Sequence, residues 1–198
     1  MNKVKKNNSY KIFHDQKNNY GKKEFQSIDL MNKAIKRILI IKWGGMGDVI
    51  ISTAIIEDIL KSFPNAKVDI NTLPQWQILF KHHLGINNVW GFNNKKGLNT
   101  FIHLFKWIKI VKMGNYDLIV DLQTNDRSRL YLSILKLLCN KTKYIIGNHA
   151  VKPYSIIPKS RIKISNPFQM MQRTINSIGI KSNTLSPKIY TAKNDSIA

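Results

Sequence analysis

Acidic residues are scarce in this 198-residue chain: 11 Asp and Glu stand against 32 Lys and Arg, for a formal net charge of +21. Such an excess predicts an anionic partner, whether nucleic acid, an acidic membrane surface or a phosphorylated substrate. Composition does not choose among these, and abundant Lys, Asn and Ile also fit an AT-rich coding sequence in which Lys is merely solubilising. Cysteine is reduced to Cys139, which excludes an internal disulfide framework and fits a reducing compartment. Its setting, LSILKLLC, reads as a small core position. Long apolar runs are missing as well: none approaches the roughly 18 residues of a membrane span. The basic N-terminus lacks the apolar stretch of a secretory signal. The expected location is the cytoplasm, at most peripheral on the cytoplasmic face of an inner membrane. Histidines lack metal-site spacing, since His82 and His83 are adjacent and point apart while His14, His103 and His149 stand alone. No metal and no cofactor are expected.

What is present is an alternation of apolar and amphipathic runs, the pattern of βαβ units around a parallel sheet. Residues 1–36 are polar, rich in Lys and Asn and aperiodic, and read as a basic, disordered or loosely attached arm. The α/β domain is expected over 37–180, and the polar 181–198 reads as a linker-like tail. Strands are predicted at Ile38–Lys42, Lys67–Leu73, Val89–Phe92, Tyr116–Gln123 and Tyr144–Asn148. Helices are predicted at Val49–Ser62, Phe101–Lys112, Asp126–Cys139 and Phe168–Ser177, with 149–167 as loop. Asn125 or Asp126 suits the N-cap of the third helix, and Gly179 the stop of the fourth.

The first strand runs into WGGMGD, with glycines at 44, 45 and 47. A P-loop would need Lys and then Ser or Thr after the last glycine, where Asp48 and Val49 stand. The spacing also misses the G-x-G-x-x-G of a dinucleotide fingerprint. A helix N-terminus attracts anions, but the Asp48 carboxylate already occupies that field and would repel a phosphate. The turn therefore suits an uncharged hydroxyl approaching a closely placed backbone. The plainer alternative is that Asp48 is an N-cap worth about 1 kcal/mol and the glycines only shape the turn.

RILIIKWGGMGDVIISTAIIEDILKSFPNAKVDI resembles the N-terminal segment of the ADP-heptose:lipopolysaccharide heptosyltransferases, glycosyltransferase family 9. That segment has a first strand, a turn ending Met/Leu-Gly-Asp-Val, a helix ending near Phe-Pro and a second strand. YDLIVDLQTNDRSRL resembles the family's apolar strand ending Asp-Leu-Gln-Gly with a following Arg-Ser, and YIIGN its later Arg-Ile-Gly strand. The resemblance covers about residues 37–190. It departs at Gly44 and Gly45, where many members carry serine or another small polar residue, which leaves the acceptor's identity open. It departs again at Thr124, where glycine is common.

The resemblance implies a Rossmann-like parallel sheet flanked by helices, the N-terminal, acceptor-side half of a GT-B type glycosyltransferase, with the C-terminal donor domain absent. It implies transfer of heptose from an ADP-sugar to the lipopolysaccharide inner core with inversion, Asp48 being the general base. The donor ADP-sugar is a substrate, bound through the missing domain, and the acceptor is an anionic glycolipid of the Kdo–lipid A kind. Lys42, Gly44, Gly45, Met46 and Gly47 on the first turn are the expected acceptor-binding residues, with Gln123, Asn125 and Arg127 on the second. Lys42, Arg127 and Arg129 would meet the acceptor's anions, or else form ordinary solvated surface; Asn125 would bind sugar or merely cap a helix. Without its donor half the chain is expected to be inactive or nearly so, as a fragment, a decayed gene or one part of a split enzyme.

FIHLFKWIKIVK, Phe101–Lys112, interleaves lysines with aromatic and aliphatic residues. It fits either a helix lying in a membrane interface or, more commonly, a core-packing helix with one charged face. The rival functions are a basic nucleic-acid binder and a non-catalytic partner subunit. No helix-turn-helix, RRM, KH or zinc signature supports the former, and no nucleic acid is expected.

Overall fold

Arg37–Lys42, RILIIK, is a strand with no polar residue between its ends, as a strand covered on both faces requires. In the computed structural model, which describes residues 28–92, 100–139, 141–148, 152–156, 158 and 166–191, this strand (β1) is the centre of a five-stranded sheet. On one side lie β2 (Lys67–Thr72) and β3 (Asn88–Gly91), on the other β4 (Leu118–Asp121) and β5 (Tyr144–Ile146). Every neighbouring pair is parallel, in the order β3-β2-β1-β4-β5. Side-chain alternation sorts the core. Ile38 and Ile40 enter the cluster shared with α1 (Met46–Ser62) and α4 (Pro167–Asn176). Leu39, Ile41 and Trp43 enter the cluster shared with α2 (Thr100–Gly114) and α3 (Asp126–Leu138). The result is the expected α/β architecture, a Rossmann-like parallel sheet with helices on both faces.

Three features differ from the sequence reading. Residues 28–36, assigned above to the arm, contribute to the core: Leu30 and Ile35 are buried, and the amides of Ile28 and Leu30 donate to the carbonyls of Ser177 and Ile178. The closure there requires Gly179, whose φ is +91° and on which a Cβ would stand 2.7 Å from Asp29 Oδ1. The rest of the arm, 1–27, lies outside the described residues. Between β2 and β3 the chain forms a 3₁₀ helix, Pro74–Phe80, opened by its proline.

The third difference concerns the polar tail. Residues 181–191 have no regular structure, yet they strap across α1. Asp58 accepts the amides of Asn183 and Thr184 and the Thr184 hydroxyl, the last at 2.6 Å. Thr53 Oγ1 accepts the Lys188 amide, and the Tyr190 hydroxyl donates to Glu57 Oε1, which also meets His83 Nε2 at 2.9 Å. Glu57 and Asp58, two acids of α1, are therefore buried beneath the strap.

Candidate functional site

The order β3-β2-β1-β4-β5 reverses between β1 and β4. From β1 the chain winds outward through β2 and β3, and from β4 it winds the other way to β5. In open parallel sheets the crevice beyond the carboxyl ends of the strands at such a switch point is where ligands bind. The turn leaving β1 carries Trp43–Asp48, and the turn leaving β4 carries Leu122–Asn125.

The first turn is held from several sides. The Trp43 amide donates to Gln123 Oε1 at 2.9 Å, tying the two turns together. The Trp43 indole donates to Asn71 Oδ1 at 2.8 Å, an oxygen it shares with the Trp107 indole, and the ring packs among Phe92, Trp107 and Tyr131. From the opposite face the Trp76 indole donates to the Gly44 carbonyl at 3.0 Å.

Helix α1 begins at Met46 with Gly45 as its N-cap, and no side chain caps it. Asp48, read above as either a cap or a base, sits inside the first turn, half-buried, and its carboxylate has no hydrogen-bond partner among the described residues. The capping alternative is thereby corrected: a glycine caps the helix, and the acid's oxygens are uncommitted. Gly44 passes directly over this carboxylate. A Cβ there would lie 3.1 Å from Asp48 Cβ and Oδ2 and 3.4 Å from Lys42 Cε. At Gly45 and Gly47 an added Cβ would meet nothing within 4 Å, so both positions border open space.

Lys42 is not the solvent-facing anion binder of the sequence reading. It is 4% exposed and its Nζ donates to the Leu122 carbonyl at 3.3 Å. Burial pushes its pKa down from the usual lysine value, while the charges of Asp48 and Asp121 hold it up. Lys42 thus lies beneath the glycine turn as an internal counter-charge to Asp48.

The second turn is organised by Asp121, which sequence reasoning missed. Its Oδ1 accepts the amides of Gln123 and Thr124, and its Oδ2 accepts the hydroxyls of Ser128 and Tyr154, each at 2.7 Å. Burial raises its pKa, and these four donors oppose the rise. The available signal was an acid closing an otherwise apolar buried strand. Tyr154, from the expected loop 149–167, had no local signal. Thr124 adopts φ +47°, the left-handed region that glycine occupies most readily. Asn125 caps α3, its Oδ1 accepting the Ser128 amide at 2.9 Å in a reciprocal capping box. That oxygen is committed to structure and is withdrawn from sugar binding. Arg127 lies in the first turn of α3, its charge acting on Tyr131, whereas Arg129 pairs with Asp126 on the solvent side. The structure therefore brings Gly44, Gly45, Met46, Gly47, Asp48 and Gln123 onto the two adjoining turns at the carboxyl ends of β1 and β4, with Lys42 buried beneath them. Among the described residues no cluster of metal-ligating side chains is found.

No protein-family model matches the chain. Lipopolysaccharide heptosyltransferase 3 of Escherichia coli is 32% identical over 81 residues, covering 38% of this chain and 23% of that protein. The glycosyltransferase family 9 protein of Veillonella parvula superposes with a TM-score of 0.71 at 16% identity, covering 85% of this chain and 48% of its own. The E. coli heptosyltransferase WaaC, solved with ADP-2-deoxy-2-fluoro heptose, gives 0.59 at 17% identity, covering 77% of this chain and 51% of its own. Sheet order, switch-point crevice and these likenesses define the class, the Rossmann-like N-terminal half of a GT-B type glycosyltransferase fold. Over part of its length the chain is similar in sequence to lipopolysaccharide heptosyltransferase 3, and its fold is that of the glycosyltransferase family 9 structures. The chain spans about half the length of the solved relatives and about a quarter of the curated one it matches.

Proposed function

We propose that this chain is the acceptor-side lobe of an inverting heptosyltransferase, with Asp48 as the general base that deprotonates the attacking sugar hydroxyl. The observation that carries the reading is the uncommitted Asp48 carboxylate at the switch-point crevice, on a turn pinned through Trp43 and Gly44. A neutral hydroxyl is a poor nucleophile, and a positioned base contributes roughly 10²–10⁴-fold. Fixing the backbone around the base leaves little reorganisation for the moment of reaction. Lys42 lies below the base as a buried positive charge, and both side chains sit against Gly44. With a carboxylate at the start of α1, the crevice suits an uncharged hydroxyl better than a phosphate.

The donor is an ADP-sugar carrying heptose, and the acceptor an anionic lipopolysaccharide inner core of the Kdo–lipid A kind, in keeping with the +21 charge. The departing diphosphate needs helix N-termini or Lys and Arg donors, which the resemblance assigns to the donor lobe. The 198 residues alone are accordingly expected to give little or no transfer. The location that goes with this acceptor is the cytoplasm, in peripheral contact with the inner membrane.

The test is a structure of the two-lobed enzyme with acceptor and an unreactive donor analogue. The expected result is an acceptor hydroxyl within about 2.6–3.2 Å of an Asp48 carboxylate oxygen, the reach of a general base. An acceptor bound with its reacting hydroxyl facing any other side chain would overturn the assignment.

A further inference from the structure

Helix α2 is covered along one stripe only. Leu104, Trp107, Ile108 and Val111 pack on the sheet. A helix flanking an α/β sheet ordinarily turns a polar face outward. Here the outward face holds Phe101, Phe105 and Met113, which are 70%, 59% and 73% exposed, together with exposed Ile102 and Ile110. Lys106, Lys109 and Lys112 are exposed between them, and the helix carries no acid. The sequence reading of a core helix with one charged face thus describes half of it. The outer half is apolar and basic at once. Helix α3 packs beside it on the same sheet face and adds exposed Leu130 and Leu137.

We propose that this face, the outer surface of α2 continued by α3, docks on a bilayer surface containing anionic phospholipid. Phe, Ile and Met supply apolar side chains that enter the headgroup–acyl boundary, while the lysine stems run along the same surface and place their ammonium groups among lipid phosphates. The charge pattern selects this occupant over a second copy of the chain. Packing the face against itself would bring two copies of α2, basic and without an acid, together in a molecule of net charge +21. Among the described residues no helix is long and apolar enough to cross a membrane, so the contact is one of lying on the surface.

The topology adds a purpose. Helix α2 returns from the carboxyl edge of β3 to the start of β4, so Phe101, Ile102 and Phe105 stand at the same edge of the sheet as Asp48. A membrane touching there presents headgroups beside the crevice. This last step rests on the reading of a lipid-borne acceptor, whereas the docking itself does not.

The test is co-sedimentation of the 198-residue chain with vesicles at about 0.1 M salt, where surface charges are partly screened. Phosphatidylglycerol–phosphatidylethanolamine vesicles are compared with phosphatidylcholine alone. Binding to the anionic vesicles is expected to fall about tenfold or more in Phe101→Ser/Phe105→Ser, which leaves the charge unchanged, and to fall also in Lys106→Gln/Lys109→Gln. Circular dichroism checks the fold, and Ile102→Ser/Met113→Ser on the same face repeats the measurement should the first pair unfold. Asp48→Asn is expected to bind vesicles as the parent does, so loss of catalysis and loss of docking are read separately. Vesicle binding indifferent to the apolar substitutions would overturn the proposal, as adsorption by charge alone. So would a solution dimer that the same substitutions dissolve.

Discussion

Asp48 and Lys42 are a pair whose roles depend on a few ångströms of backbone. Helix α1 starts at Met46, so the acid falls in the first turn instead of ahead of it, and the glycine at 44 lets the turn close over both side chains. Lys42 gives a pH signature. Its proton is released at lower pH in the fold than in the unfolded chain, so between its lowered value and 10.5 the unfolded state binds more protons and stability rises with pH. Denaturant titrations across that window should show the stability of the parent relative to Lys42→Met increasing with pH, and a constant difference would remove the burial argument. Gly179→Ala, at φ +91° and against Asp29, is expected to destabilise by about 1–2 kcal/mol, read from the midpoint of urea unfolding. At this scale the sequence was half legible. The Met-Gly-Asp turn announced itself by its glycines. Asp121, which organises the other turn, did not, because its four donors come from Gln123, Thr124, Ser128 and the distant Tyr154.

Among the elements, the strands were readable because burial on both faces leaves an unbroken apolar run, as in β1 and β4. Helix starts were readable where a side chain caps, as Asn125 does for α3, and were misplaced where glycine does, as at α1. The strap 181–191 was not readable at all: its attachment is by hydrogen bonds to α1 carboxylates, which leave no periodic trace in a polar segment. Asp58→Ala removes the acceptor of two amides and a hydroxyl. The expected cost is about 2 kcal/mol, with hydrogen exchange accelerated at Asn183 and Thr184. Unchanged exchange there would mean that the strap is held by its other contacts. Helix α2 shows the reverse case: the sequence showed its mixture of apolar and basic residues, and only the packing showed which apolar ones face the core and which face outward.

For the whole molecule, topology converts local turns into a site. The β1 turn and the β4 turn meet where the strand order reverses, which sets Gln123 against Trp43 at the position where open parallel sheets bind ligands. The same topology places the N-terminal end of the apolar, basic surface of α2 at the edge of the sheet that carries Asp48, so the proposed chemistry and the proposed docking share one end of the sheet. The central claim is that Asp48 takes a proton in the chemical step. It is tested most directly by single-turnover transfer in the two-lobed enzyme, with donor and acceptor bound beforehand, comparing Asp48 with Asp48→Asn. The account predicts a rate lower by roughly 10²–10⁴-fold with donor binding and fold intact; equal rates in the two enzymes would contradict it.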